Sequence, residues 1–144
     1  VVVLGDAGYL ERAVTNLLTN AIKFTPDGGR IGVEVGLAAV DGVEGDAKRA
    51  AACYLAVSDT GMGIPPDELE NVFVRFFRSS NVRADAIQGT GLGLAIVRSI
   101  VESHRGRIKA TNLYNGESAV GCRFTFTLPL EPSRIQPAPA AATA

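Results

Sequence analysis

The stretch Gly89-Thr90-Gly91-Leu92-Gly93-Leu94 is the most informative part of this sequence, and it opens an amphipathic helical pattern. Glycines at alternate positions let successive backbone amides point toward one anion at a helix start, where the helix dipole also favours phosphate. No Gly-Lys-Ser/Thr follows, as the Walker motif requires, and the glycine spacing differs from that of the dinucleotide fingerprint. The stretch therefore predicts a phosphate-binding loop outside both familiar nucleotide-binding folds. The alternative is a flexible glycine hinge.

The patterns on either side of this stretch predict an α+β fold. Apolar residues at helical spacing predict one helix capped by Asp6, one starting at Pro65 and one between Leu92 and Gly106. Apolar or alternating runs predict strands at residues 1–4, 31–35, 53–58, 108–113 and 120–128. Because this order is not a regular βαβ alternation, we expect a two-layer α/β sandwich. Its mixed, mostly antiparallel sheet of about five strands would be covered on one face by three helices.

Length and composition indicate a single domain. The 144 residues, 47% of them hydrophobic, suffice for one core, which we place in residues 1–130. Residues 131–144 are rich in proline and alanine, so we expect a disordered tail. The net charge of -1 disfavours binding to nucleic acid. Cys53 and Cys122 lack metal-ligand spacing and are expected to be buried thiols.

Polar residues follow one side of the first predicted helix. Asn16, Asn20 and Lys23 lie four and three residues apart, so they share a stripe beside the apolar face. An amide oxygen suits Mg²⁺, which takes few protein ligands beside phosphate oxygens. Lys23, one turn further on, is placed to meet a phosphate. The alternative is a solvated polar flank.

A carboxylate lies at the end of the third predicted strand, in the segment Asp59-Thr60-Gly61-Met62-Gly63-Ile64. The glycines allow close approach of the backbone. A buried carboxylate at a strand end is a strong acceptor for a donor such as the adenine amine, with a contribution of roughly 1.5 to 3 kcal/mol. The alternative is an ordinary Asp-Gly turn between strand and helix.

The second predicted helix has an aromatic face, followed by arginines. The apolar stripe consists of Leu69, Val72, Phe73, Phe76 and Phe77. Arg75 and Arg78 flank its end and are candidates for contact with a terminal phosphate, or else cover the aromatic face. His104, the only histidine, lies in the last turn of the third helix, where we expect a structural role.

Taken in order, these segments resemble the ATP-binding catalytic domain of sensor histidine kinases, over nearly all of residues 1–130. Four motifs carry the resemblance: an N box at residues 16–24, a first glycine box at 59–64, an F box at 73–78 and a second glycine box at 89–94. The wider superfamily also includes gyrase-type, mismatch-repair and chaperone ATPases.

The resemblance implies a role for each matching residue. Asn20 would hold magnesium, Lys23 a phosphate, Phe24 would stack near the nucleoside and Asp59 would bind the adenine amine. The other nucleotide-binding candidates are Gly61, Gly63, Ile64, Gly89, Thr90, Gly91, Leu92 and Gly93. Asn16, Asn20 and Arg78 are the candidate catalytic residues, and residues 79–88 would form an ATP lid.

The resemblance also implies transfer rather than hydrolysis. Hydrolytic members of the superfamily carry a water-activating glutamate at the position of Asn16, and an amide has no useful basicity at neutral pH. We therefore expect a protein histidine kinase that uses ATP and Mg²⁺. The alternatives are a degenerate ATP-binding or partner-docking domain without transfer activity, and an anti-sigma-factor type serine/threonine kinase, which the F box disfavours.

The partners follow from the same resemblance. The acceptor histidine is expected on a separate dimerising helical hairpin of the parent kinase, and a response regulator would receive the phosphate. We expect the chain to be an excised cytoplasmic fragment of a longer, membrane-anchored kinase. The isolated domain is expected to be monomeric.

Overall fold

A computed structural model describes residues 3–38, 52–80 and 92–130. In these ranges the element order is α1 (Ala7–Phe24), β1 (Ile31–Ala38), β2 (Ala52–Asp59), two 3-10 turns (Pro66–Glu68 and Asn71–Phe73), α2 (Gly93–Ser103), β3 (Arg107–Asn115) and β4 (Ser118–Pro129). The strand order is β1-β2-β4-β3, and each neighbouring pair is antiparallel. The predicted α+β class and two-layer arrangement are confirmed.

Helix α1 begins and ends at defined caps. The Asp6 carboxylate accepts a hydrogen bond from the Tyr9 amide at 3.0 Å, which satisfies one free donor of the first turn. At the last turn, the Thr25 amide donates a hydrogen bond to the Ala21 carbonyl. Because Ala13, Leu17 and Ala21 are almost fully buried, α1 presents one apolar stripe to the core and leaves its flank free for polar residues.

The core lies between the two helices and one face of the sheet. Helix α2 buries Val97, Ile100 and Val101. On β4, every second side chain from Cys122 to Leu128 is buried. The Phe73 ring meets the Phe124 ring edge to face, with ring centres 6.1 Å apart. This packing anchors the segment after β2 to the sheet.

The helix expected from Pro65 is absent from the described residues, so that prediction is wrong. Two short 3-10 turns take its place, and the chain does not continue as a helix after them, because Val74 is extended and Phe76 has a φ of 64°. The chain reverses there and turns the Phe76 ring out to solvent, 71% exposed, rather than into the core. The reversal lets Phe77 and Arg78 approach α1.

The expected counts of five strands, a mixed sheet and three helices are corrected accordingly. The described part of the chain contains four strands, all antiparallel, and two α-helices. Val3 and Leu4 of the predicted first strand are not in a strand. At the edge strand β1, Val33, Val35 and Leu37 share the face of buried Val57 yet remain exposed, because the helices do not extend over them.

Several predicted features fall outside the described residues. They are the first two residues of the predicted first strand, the tail at 131–144 and all of the expected lid except Ser79 and Ser80. In the described ranges, no helix has the length and apolar character needed to cross a membrane.

Candidate functional site

A cavity of about 370 Å³ lies between α1, the end of β2, the 3-10 turns and the start of α2. This volume is in the usual range for small-molecule sites. The wall combines polar and charged side chains with apolar ones. It is formed by Asn16, Thr19, Asn20, Lys23, Phe24, Asp59, Met62, Gly63, Ile64, Val72, Phe77, Arg78, Ser79, Gly93, Leu94, Cys122 and Phe124.

The fold brings most of the predicted site residues to this one cavity. Those that line it are Asn16, Asn20, Lys23, Phe24, Asp59, Gly63, Ile64, Arg78 and Gly93. Gly61 and Leu92 are described but do not line it. Gly89, Thr90 and Gly91 lie outside the described residues. Three sequence-distant motifs therefore converge here, and the fourth contributes Gly93 and Leu94.

Asp59 is the buried carboxylate of the cavity. It is the last residue of β2, where the ladder with β4 ends opposite Cys122, and its side chain is only 4% exposed. The carboxylate accepts a hydrogen bond from the Gly61 amide at 2.9 Å. Burial raises the pKa of Asp59, and backbone hydrogen bonds from Gly61 and Cys122 partly offset that rise. The carboxylate thus retains capacity for a ligand donor that enters the cavity.

Residues 61–64, here called the glycine segment, follow Asp59 and form one wall. A Cβ atom at Gly61 would lie 2.5 Å from the carbonyl oxygen of Phe24, too close for any side chain. Gly63 has a φ of 71°, which favours glycine. These two glycines let the backbone turn beneath the cavity and pass closely by the end of α1.

Two cations lie at another part of the wall. Lys23 is in the last turn of α1, and its amine is 5.3 Å from the centre of the Phe24 ring. Desolvation lowers the pKa of Lys23, and the positive charge of Arg78 lowers it further. In the described part of the chain, the buried Nη2 atom of Arg78 has no hydrogen-bond partner. Two nearby cations, one with an unpaired donor, favour an anion in the cavity.

The polar side of α1 contributes Asn16, Thr19 and Asn20 to the same wall. Within the described ranges, no cluster of three or more His, Cys, Asp or Glu residues is suited to hold a metal. Mg²⁺ needs no such cluster, because it retains waters and binds phosphate oxygens beside one or two protein ligands. The amide oxygen of Asn20, on this wall, is a ligand of the kind that Mg²⁺ accepts.

Eight wall residues were not among the candidates from sequence: Thr19, Met62, Val72, Phe77, Ser79, Leu94, Cys122 and Phe124. Four of them, Thr19, Met62, Phe77 and Leu94, lie inside the quoted motifs, so their positions carried a signal. Cys122 and Phe124 come from β4, and only the pairing register brings them beneath the cavity. Burial and the charge of Asp59 raise the pKa of the Cys122 thiol to about 12, so it remains protonated.

His104 has the structural role expected of it. Its Nε2 accepts a hydrogen bond from the Asp6 amide at 2.9 Å, and its Nδ1 donates to the Ile100 carbonyl at 2.7 Å. The ring therefore joins the end of α2 to the start of α1, away from the cavity.

Comparison with known proteins gives a consistent family. Residues 5–132 match the family described as histidine kinase-, DNA gyrase B-, and HSP90-like ATPase. A signal transduction histidine-protein kinase/phosphatase, MprB of Mycolicibacterium vanbaalenii, is 44% identical over 131 residues. The alignment covers 91% of this chain and 25% of that protein, so the chain spans about a quarter of the relative's length.

Two solved structures have a fold similar to that of this chain, at sequence identities of 38% and 32%. The mycobacterial sensor histidine kinase MprB superposes with a TM-score of 0.75 at 38% identity, over 88% of this chain and 76% of that one. Full-length ShkA in complex with AMPPNP superposes with a TM-score of 0.59 at 32% identity, over 88% of this chain and 22% of that one.

Proposed function

Because the chain belongs to the family of histidine kinase-, DNA gyrase B- and HSP90-like ATPases, we propose that it binds Mg-ATP and transfers the γ-phosphoryl group to a histidine. The acceptor is the histidine of a separate dimerisation domain in a two-component sensor kinase. One observation carries the proposal: a single cavity combines the buried carboxylate of Asp59 with the two cations Lys23 and Arg78.

Asp59 would select the base. Its carboxylate is held by the Gly61 amide, so the free acceptor capacity has a fixed direction before a ligand enters. The exocyclic amine of adenine donates hydrogen bonds, whereas guanine presents a carbonyl oxygen at the corresponding ring position. A buried carboxylate opposite that oxygen would lack a partner and repel it. The proposed specificity is therefore for adenine over guanine.

Lys23 and Arg78 would bind the phosphates. Desolvation first, and then the charge of Arg78, lower the pKa of Lys23, and an anion between the two cations would relieve their repulsion. Asn20 would be the protein ligand of the accompanying Mg²⁺, which when bound neutralises phosphate charge. Gly93 opens α2 at the same wall, so its backbone lies at the positive end of a helix dipole.

Transfer fits this site better than hydrolysis. Asn16 lines the wall, and its amide cannot remove a proton from water at neutral pH. In the proposed step, a ring nitrogen of the acceptor histidine attacks the γ-phosphorus, the bond from phosphorus to the bridging oxygen breaks and ADP leaves. The other ring nitrogen then releases its proton. The histidine supplies its own lone pair, so the chain needs to position ATP rather than activate a nucleophile.

The second candidate is a domain that binds ATP or a partner without transfer. It shares the cavity but makes no use of an acceptor histidine. The fit of Asn20, Lys23, Asp59 and Arg78 to ATP is common to both candidates, and the 44% identity to a relative named as a histidine-protein kinase favours the kinase. The hairpin and response-regulator partners, and a cytoplasmic position in a membrane-anchored parent, remain predictions from the resemblance.

Calorimetric titration of the chain with ATP and with GTP, each in excess Mg²⁺, tests the proposed site. ATP should bind, and GTP should bind at least about tenfold more weakly, because one poorly matched hydrogen bond to a charged group costs about 1.5 kcal/mol or more. Inorganic triphosphate, which lacks the base, serves as the control for the cationic part alone. Equal affinities for ATP and GTP would contradict the assignment of Asp59.

A further inference from the structure

The side chain of Asn112 forms a two-point clamp on the glycine segment. Asn112 is on β3, and its Oδ1 accepts a hydrogen bond from the Ile64 amide at 2.8 Å. Its Nδ2 donates to the Ile64 carbonyl oxygen at 2.6 Å. One amide side chain therefore pairs both polar groups of a single backbone residue, as a neighbouring strand would.

The clamp lies at the point where the chain leaves the sheet after β2. The ladder between β2 and β4 ends at Asp59 and Cys122, and Asn112 is the β3 partner of that same Cys122. Beyond this rung, the chain leaves the sheet through the glycine segment and needs other partners for its backbone. The side chain of Asn112 supplies two of these hydrogen-bond partners, both to Ile64.

The glycine segment is consequently held at both of its ends. At the start, the Gly61 amide donates to the Asp59 carboxylate at 2.9 Å. At the end, Asn112 holds Ile64. Gly63 turns between them with a φ of 71°, and an added Cβ there would lie 3.1 Å from the Asn112 oxygen, so turn and clamp are in close contact.

Asn112 itself does not line the cavity, whereas Met62, Gly63 and Ile64 do. We propose that Asn112 is a positioning residue for adenine: by fixing Ile64 it sets the wall beside Asp59 and thereby the fit of the base. This inference rests on the proposed function. The inference goes beyond the proposed function because it states that Asn112, which does not line the cavity, influences the affinity for adenine.

The test compares the wild-type chain with Asn112→Ala, Asn112→Asp and Thr111→Ala. Thr111 is the matched control because it is the neighbouring β3 residue, is exposed and contacts the Arg123 carbonyl rather than the glycine segment. Adenosine, ATP and GTP are titrated by calorimetry well below each melting temperature. Hydrogen exchange at the Ile64 amide is measured without nucleotide.

Asn112→Ala should weaken adenosine and ATP binding by the same factor, about tenfold for two lost hydrogen bonds. It should also narrow the preference for ATP over GTP and speed exchange at Ile64. A variant that merely lowers stability would leave the preference unchanged. Asn112→Asp keeps the acceptor for the Ile64 amide but loses the donor, so it should show a smaller loss, and it carries the test if Asn112→Ala does not fold.

Unchanged adenosine affinity in both Asn112 variants, beside a wild type that binds adenosine, would overturn the inference alone. So would an equal loss in Thr111→Ala. A wild type that binds neither adenosine nor ATP would instead overturn the proposed function, and Ile64 exchange would still report whether the clamp holds the segment.

Discussion

The Asp59 carboxylate accepts a hydrogen bond from the Gly61 backbone amide, at 2.9 Å, across a turn of only two residues. This bond orients the acceptor at the end of β2 without any contribution from a ligand. Asp59 is also buried, and in the described part of the chain its charge is stabilised by the backbone amides of Gly61 and Cys122. A hydrogen bond from a ligand to Asp59 is therefore strengthened both by the fixed orientation of the carboxylate and by its burial.

Replacement of this carboxylate tests its role in base recognition. Asp59→Asn keeps the shape but exchanges a charged acceptor for a mixed group, so ATP affinity should fall about ten- to a hundredfold. Calorimetric titration measures the change. Asp67→Asn, an exposed acidic residue outside the cavity, is the control and should bind ATP as the wild type does. An Asp59→Asn chain with wild-type affinity would remove Asp59 from the site.

The raised pKa of Asp59 predicts a dependence on pH. Protonation removes the charged acceptor, so ATP affinity should decline on acidification at a pH above the ordinary carboxyl value of 3.8. Over the same range the folded chain binds the proton more readily than the unfolded chain. The contribution of Asp59 to the free energy of unfolding should therefore grow as the pH falls and be lost as it rises through the folded pKa.

Paired measurements on the wild type and Asp59→Asn isolate this contribution. Titrations and denaturant unfolding at a series of pH values should differ between the two chains in that acidic range and run parallel above it. Parallel curves throughout would mean that Asp59 titrates as an exposed carboxyl does.

Lys23 and Arg78 should contribute to binding of the phosphates of ATP and not to binding of adenine. Lys23→Ala and Arg78→Ala should each weaken ATP binding severalfold, since a charge-assisted hydrogen bond contributes about 1.5 to 3 kcal/mol before screening by solvent. Both variants should leave adenosine binding unchanged. Arg75→Ala is the matched control, because Arg75 is exposed and lies outside the cavity wall. Equal losses for adenosine and ATP would show that the two cations support the fold instead.

The contribution of Asn20 to ATP affinity should depend on Mg²⁺. Asn20→Ala should weaken ATP binding in the presence of Mg²⁺ and have little effect in EDTA, because the amide oxygen is proposed as a metal ligand. Its thermal stability should change little, since Asn20 lies beside the buried stripe of Ala13, Leu17 and Ala21 rather than in it. A loss of equal size with and without Mg²⁺ would contradict the role as a metal ligand.

Local patterns predicted the features that depend on nearby residues. The apolar stripe of α1 and the position of Asp59 at the end of a buried strand followed from periodicity, and the structure confirms both. The convergence of Asn20, Lys23 and Asp59 came from the resemblance to a family. The prediction of a helix from Pro65 was wrong, because apolar spacing reports neither the break into two 3-10 turns nor the left-handed backbone at Phe76.

Features that depend on register had no local signal. Phe124 and Cys122 reach the cavity only because β4 pairs with β2 in one particular register. Asn112 lies 48 residues from the Ile64 backbone that it holds. An asparagine in a strand ordinarily indicates weak β propensity rather than a clamp on a distant turn.

The most direct test of the proposed function is phosphoryl transfer in trans. The chain is incubated with Mg²⁺, ATP labelled at the γ-phosphate and a separately produced dimerisation hairpin of a histidine kinase from the same organism. We predict acid-labile label on the hairpin histidine, none on His104 and, at an ATP concentration near the wild-type Kd, severalfold slower labelling with Asp59→Asn. A chain that binds ATP but labels no hairpin, or that releases labelled phosphate steadily without one, would contradict the account.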